Sequence, residues 1–233
     1  MQDFDAIFRI AAERHGGAEA LEARLTRPLP AAELAAIADD RWLAAMAKCL
    51  FQAGFNWKVI EAKWDGFETA FDGFDPARVA FYHDADLDRL LADTRIVRNA
   101  AKVRAVIGNA RLVRELVVEH GSTGAFLAAW PDGDLVGLLR LLTRRGSRLG
   151  GVTGQRMLRS MGRDTFVLSP DVTARLIREG VVDKVPGSQR DMAAVQDAFN
   201  TWVGQSGRSM TAVSQVLACS IQGAEPIISG RRQ

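Results

Sequence analysis

The sequence predicts an all-α protein, and three observations carry that reading. Apolar residues recur at spacings of three and four along most of the chain, the period that gathers them on one face of a helix. Capping residues and glycines stand at the ends of those stretches. No segment with strand periodicity is longer than Thr165–Leu168, and no internal repeat or low-complexity tract interrupts the pattern.

Taken in order, Phe4, Ile7, Phe8 and Ala11 define a first helix that stops at Gly16–Gly17. Ala31–Ala53 reads as one alanine-rich helix with Trp42, Met46, Cys49 and Leu50 on a stripe, ending at Gly54. Asn56 is an N-cap for a helix through Trp57, Ile60 and Trp64. Asp75-Pro76 is a second start signal, with proline at the first helical position. Asp84–Leu91 is a short helix. Asn99–His120 is the longest periodic stretch, with Val103, Val106, Ile107, Ala110, Val113 and Leu116 on its apolar face. Ser122 or Thr123 caps a helix to Trp130, and Asp132 or Asp134 opens another to Leu142. A glycine-rich hairpin follows, then a helix near Gln155–Met161, one opened by Ser169-Pro170, and two more over Gln189–Val203 and Ser209–Ile221.

With 233 residues and 48% hydrophobic content the chain can bury a substantial core. Two cysteines, Cys49 and Cys219, sit in apolar helical contexts, which argues against a disulfide framework and for a reducing cytoplasm. No apolar run approaches the roughly 20 residues that span a bilayer. The acidic, amphipathic start of the chain is unlike a secretory signal. The net charge of +2 identifies no partner; the placement of charge matters more.

From Arg140 to Arg163 the chain holds seven arginines and no acid. Such a patch neutralises phosphates and makes binding salt-dependent; a solvated helix face is the alternative. Embedded in it is Leu149-Gly150-Gly151-Val152-Thr153-Gly154-Gln155. Its glycines permit positive φ and close backbone approach. The helix that follows offers free N–H groups and a positive dipole end to an anion. A DNA phosphate is the natural occupant. Gly150, Gly151, Val152, Thr153, Gly154, Arg148 and Arg156 are therefore the DNA-binding candidates, and backbone amides of this kind position DNA without reading its sequence.

This segment resembles the hairpin of the helix-hairpin-helix DNA glycosylase superfamily, with Thr153 where a second glycine is common and Gly154 one place later. Three further blocks, Phe51–Ile60 (FQAGFNWKVI), Phe67–Ala80 (FETAFDGFDPARVA) and Arg95–Ala110 (RIVRNAAKVRAVIGNA), resemble the 3-methyladenine DNA glycosylase I family in order and spacing. The resemblance covers about Trp42–Leu176. It implies a two-lobed helical bundle with the helix-hairpin-helix at about 138–162, one glycosylase-like domain over 1–228 and a disordered tail at 229–233. It implies removal of an alkylated, 3-methyladenine-like purine from double-stranded DNA by hydrolysis, with no cofactor, in a monomer.

Trp57 matches the family's pocket tryptophan. Phe55, Phe51 and Trp42 are further base-binding candidates, for each of which a core position is the stronger reading. Where the family places a glutamate eight residues before that tryptophan, this chain has Cys49, and a thiol does not replace a carboxylate as an acceptor. The family's structural zinc has no counterpart in three scattered histidines (His15, His83, His120) and two cysteines, so no metal is expected. The superfamily's aspartate after the second hairpin helix falls near Ser169, two residues before Asp171. Asp171 is the catalytic candidate; a carboxylate stabilising a helix N-terminus is its other reading. A cationic base is already a good leaving group, which predicts a preference for labile, positively charged lesions. The hairpin has no lysine for a Schiff base, which disfavours strand cleavage. A DNA-binding or damage-sensing protein without catalysis is the second hypothesis, and a helical interaction module without DNA is a weaker third.

Overall fold

The computed structural model describes residues 1–221, and helix is the only regular secondary structure among them. The helices are α1 (Phe4–Arg14), α2 (Ala18–Glu22), α3 (Ala31–Ala35), α4 (Asp39–Gln52), α5 (Trp57–Ala62), α6 (Trp64–Ala70), α7 (Pro76–Val79), α8 (Asp84–Ala92), α9 (Ala100–His120), α10 (Thr123–Ala129), α11 (Leu135–Arg145), α12 (Gly151–Ser160), α13 (Pro170–Arg178), α14 (Gln189–Ser206) and α15 (Met210–Cys219). The expected tail at 229–233 lies outside the described residues.

The starts read from the sequence are built by side-chain caps. Asn56 accepts from the Lys58 N–H at 3.0 Å, Asp75 from Ala77 at 2.8 Å, Asn99 from Lys102 at 3.1 Å, Ser122 from Ala125 at 2.9 Å and Ser169 from Val172 at 3.2 Å. Asp134 accepts from Gly137 at the start of α11. Each occupies one of the N–H groups that a helix leaves unpaired at its first turn.

Two stretches read as continuous helices are broken. Ala31–Ala53 is two helices, because Ala38 is extended (φ −65°, ψ 149°). Asp39, next in line, accepts from the Thr123 N–H at 2.8 Å and anchors the start of α4 to α10. The helix from Trp57 ends at Lys63, whose ammonium reaches the Thr94 carbonyl at 2.7 Å, and α6 starts afresh at Trp64. Thr165–Leu168 is extended but joins no strand. The Thr165 and Val167 N–H groups donate instead to the hydroxyls of Thr211 and Ser214 on α15.

The chain forms two compact units. Among the described residues, the first comprises residues 1–29, 131–137 and 158–221. Here α15 packs against α1, α13 and α14. Ile7, Leu176, Phe199, Trp202, Val213 and Leu217 are fully buried in it. The second comprises residues 30–130 and 138–157. In this unit α9 packs against α4, α7, α8 and α10. An aromatic stack of Phe51, Phe67, Phe71 and Phe74 fills its centre, with ring centroids 4.6–6.4 Å apart along the chain of contacts. Among the described residues, no helix is long and apolar enough to cross a membrane.

Candidate DNA-backbone and base-binding site

The hairpin belongs to the second unit, and the structure moves it one turn earlier than expected. Its loop is residues 146–150, and α12 begins at Gly151. Val152, Thr153 and Gly154 are thus the first helical turn itself, where the unpaired N–H groups lie. Positive φ is used at Arg148 (59°) and Gly151 (58°). Gly154 is buried and serves a different purpose. A Cβ there would strike the Leu149 carbonyl oxygen, so the glycine lets the hairpin close against its own helix.

The loop is seated on α9 by a residue that the sequence reading passed over. Asn109 is fully buried, accepts from the Ser147 N–H at 2.7 Å and donates to the Ser147 carbonyl at 3.2 Å. One residue earlier, Gly108 leaves room for the Ser147 side chain. The available signal was a polar residue on the apolar stripe of the longest helix. Beside the hairpin, Ala101, Arg104, Ala105, Ser147 and Arg148 line an open groove. Arg104 and Arg148 are both exposed there and give the groove a positive charge.

The seven arginines do not act as one patch. Arg145 donates to Glu115 and Glu119 of α9, at 3.1 and 2.6 Å. Arg159, in the first unit, donates to the Thr165 carbonyl at 2.6 Å, and burial pushes its guanidinium down to about 10. Arg163 is buried and pairs with Asp132 at 2.6 Å. Arg140, Arg144, Arg148 and Arg156 remain exposed.

The aromatic candidates separate sharply. Trp42 and Phe51 are 0% exposed, inside the core of the second unit. Phe55 and Trp57 are 46% and 40% exposed on the turn between α4 and α5. The Arg156 guanidinium of α12 lies over the Trp57 indole, 5.0 Å from its centroid. Lys102 of α9 lies over Phe55 and Phe51 at 5.6 and 5.7 Å, and donates to the Phe51 and Ala53 carbonyls at 3.0 and 2.8 Å. Burial, and then the Arg148 charge, lower the Lys102 pKa from its ordinary 10.5. Lys102 therefore clips the aromatic turn to the helix that seats the hairpin, a role its position three residues after Asn99 did not reveal. Cys49 is half-buried on α4. The one carboxylate of α5, Glu61, is held by Lys48 at 2.8 Å and Gln52 at 3.1 Å.

Asp171 belongs to the first unit. It stands half-buried in the first turn of α13, whose N-cap is Ser169. Its carboxylate makes no hydrogen bond or ion pair among the described residues. The histidines hold local positions: His15 ends α1 and lies 3.2 Å from the Cys219 carbonyl, His83 precedes α8, and His120 stacks on Phe126. Among the described residues, no three His, Cys, Asp or Glu side chains converge as a metal site.

Residues 36–136 match the methyladenine glycosylase family. DNA-3-methyladenine glycosylase 1 of Escherichia coli (strain K12) is 40% identical over 60 residues, which are 26% of this chain and 32% of that protein. The DNA-3-methyladenine glycosylase of Haemophilus influenzae is 32% identical over the same lengths. The chain thus spans about a third of the curated relatives it matches. A solved 3-methyladenine DNA glycosylase I from Staphylococcus aureus is 24% identical, with 61% of this chain and 82% of that one covered at a TM-score of 0.49. The family match stops before the hairpin. The matched segment, residues 36–136, is similar to the methyladenine glycosylase family; it contains Trp57 and ends before Arg156.

Proposed function

We propose that the protein is a monofunctional DNA glycosylase that excises an alkylated purine of the 3-methyladenine kind. The observation that carries the reading is the exposed Trp57 indole, already bearing a planar cation, in a segment shared with methyladenine glycosylases. A base cut from duplex DNA must first be flipped out, at a cost of a few kcal/mol. Stacking on an aromatic face offsets about 1–3 kcal/mol of that. An N3-methylated adenine in DNA is cationic, and an indole attracts a cation by its π-face.

The first turn of α12, with Arg148 and Arg104, holds the phosphates. Trp57, flanked by Phe55, receives the flipped base. As the glycosidic bond breaks, its electron pair neutralises the departing base. Water adds to C1′ of the sugar and gives up a proton, leaving an abasic site. Asp171 is the acid proposed to orient that water or stabilise the sugar cation. No strand is cut.

The test is incubation with methylated duplex DNA and measurement of released bases. We expect release of 3-methyladenine, lost in Trp57→Ala with folding retained, because Trp57 is exposed. Asp171→Asn is expected to slow release at least tenfold without weakening DNA binding, and unchanged release removes Asp171 from the reaction. Cys49, standing where the resemblance implies a glutamate, favours a second reading, a damage-sensing protein without catalysis. Normal binding to abasic-site DNA with no base released from any alkylated substrate would establish that reading and end the first.

A further inference from the structure

Arg156 was expected to bind DNA, yet in the structure its guanidinium lies over Trp57, 5.0 Å from the ring centroid. A guanidinium is planar, delocalised and cationic, and so is an N3-methylated adenine. The two therefore compete for one indole face. Arg156 is also exposed and stands on the helix whose first turn is the proposed phosphate site, so a DNA phosphate is the competing partner for its charge. No acid of the second unit is seen to hold it. Glu61 is tied to Lys48 and Gln52, and Glu115 and Glu119 are tied to Arg145.

We propose that Arg156 is a specificity-determining residue that lets Trp57 accept a cationic alkylated purine within DNA and refuses a cationic purine free in solution. Without DNA, the guanidinium covers the indole and repels a cationic base. When the hairpin meets the duplex, a phosphate draws Arg156 away and the face opens. This inference rests on the base-binding reading of Trp57.

The experiment uses Arg156→Ala and Arg156→Lys in the full chain, with two measurements. The first is equilibrium dialysis against N3,N9-dimethylated adenine, a permanently cationic free purine. The second is affinity for undamaged duplex DNA across a salt series. Arg156→Ala is expected to bind the free purine about tenfold more tightly than the unmodified protein. Its plot of log affinity against log salt is expected to lose about one unit of slope, the mark of one lost phosphate contact. Arg156→Lys keeps the slope and is intermediate for the purine. A lost slope with no gain in purine binding overturns the proposal and makes Arg156 a phosphate contact only. A gain in purine binding with unchanged slope overturns it equally, because the arginine then has no phosphate to move to. Trp57→Ala added to Arg156→Ala separates the two readings: if purine binding persists, Trp57 is not the base platform and the reading beneath this one has failed. If purine binding is abolished while methylated DNA releases no base, the exchange stands and the glycosylase reading falls.

Discussion

The hairpin at residues 146–151 and the aromatic turn at residues 53–57 lie in the same unit and are built on opposite principles. The hairpin is held from below by a buried asparagine, closed against its own helix at a buried glycine, and carries a non-glycine residue at positive φ. The aromatic turn rests on one N-cap and one lysine, and its two large side chains face solvent. Backbone amides that grip a phosphate must already be in place, or ordering them consumes the binding energy. An aromatic face that receives a flipped base must instead stay uncovered by the core. Under the proposed function the two regions meet different physical demands, rigidity where DNA would be positioned and exposed apolar surface where a base would be accepted.

The strongest way to break that contrast is at Gly154. Gly154→Val drives a side chain into the Leu149 carbonyl, which is backbone and cannot swing aside. We expect a loss of about 3 kcal/mol in urea unfolding, the upper end for overpacking, and loss of DNA binding. Asn109→Leu comes next. It leaves both backbone groups of Ser147 unpaired and is expected to cost about 2 kcal/mol. DNA affinity should fall with it, although Asn109 is buried; unchanged affinity would show that the hairpin does not need its seat.

Arg148→Gly is expected to separate stability from binding. A left-handed conformation costs a side-chain-bearing residue about 1–2 kcal/mol, so stability should hold or rise by up to about 1 kcal/mol while the salt slope of DNA binding falls by about one. Arg145→Ala is the matched control. Its guanidinium is engaged by Glu115 and Glu119, so the slope should not change, and an exposed network of this kind contributes at most about 1 kcal/mol to stability.

The smallest effect concerns Lys102. Its pKa is lowered in the fold, so the folded chain binds that proton more weakly than the unfolded chain does. Stability should therefore rise as pH climbs through the window ending at 10.5, and Lys102→Met should flatten that rise in urea midpoints taken across it.

Much of the fold was legible because its signals are local. Asn56, Asp75, Asn99, Ser122 and Ser169 announced their helices, since a cap needs only the three residues that follow it. The break at Ala38 was not legible, and the contact that accompanies it, between Asp39 and residue 123, joins positions 84 apart. The hairpin was found from its glycines but placed a turn late. Gly151 and Gly154 look alike in sequence, yet one supplies a positive φ and the other a close approach that exists only once the loop has folded back.

By itself, the sequence determined an all-helical chain, most of its helix starts, a glycine hairpin among arginines, and Trp57 as the residue to watch. Only the tertiary structure decided which arginines are free. Arg145 finds its acids 26 and 30 residues away, and Arg163 finds Asp132 31 residues away. It also decided that Trp42 and Phe51 are core while Trp57 and Phe55 face solvent, and that Arg156 lies on Trp57. The physical reason is the range of the forces. Periodicity and capping act within a few residues of chain, whereas burial and charge pairing depend on what the folded chain brings alongside.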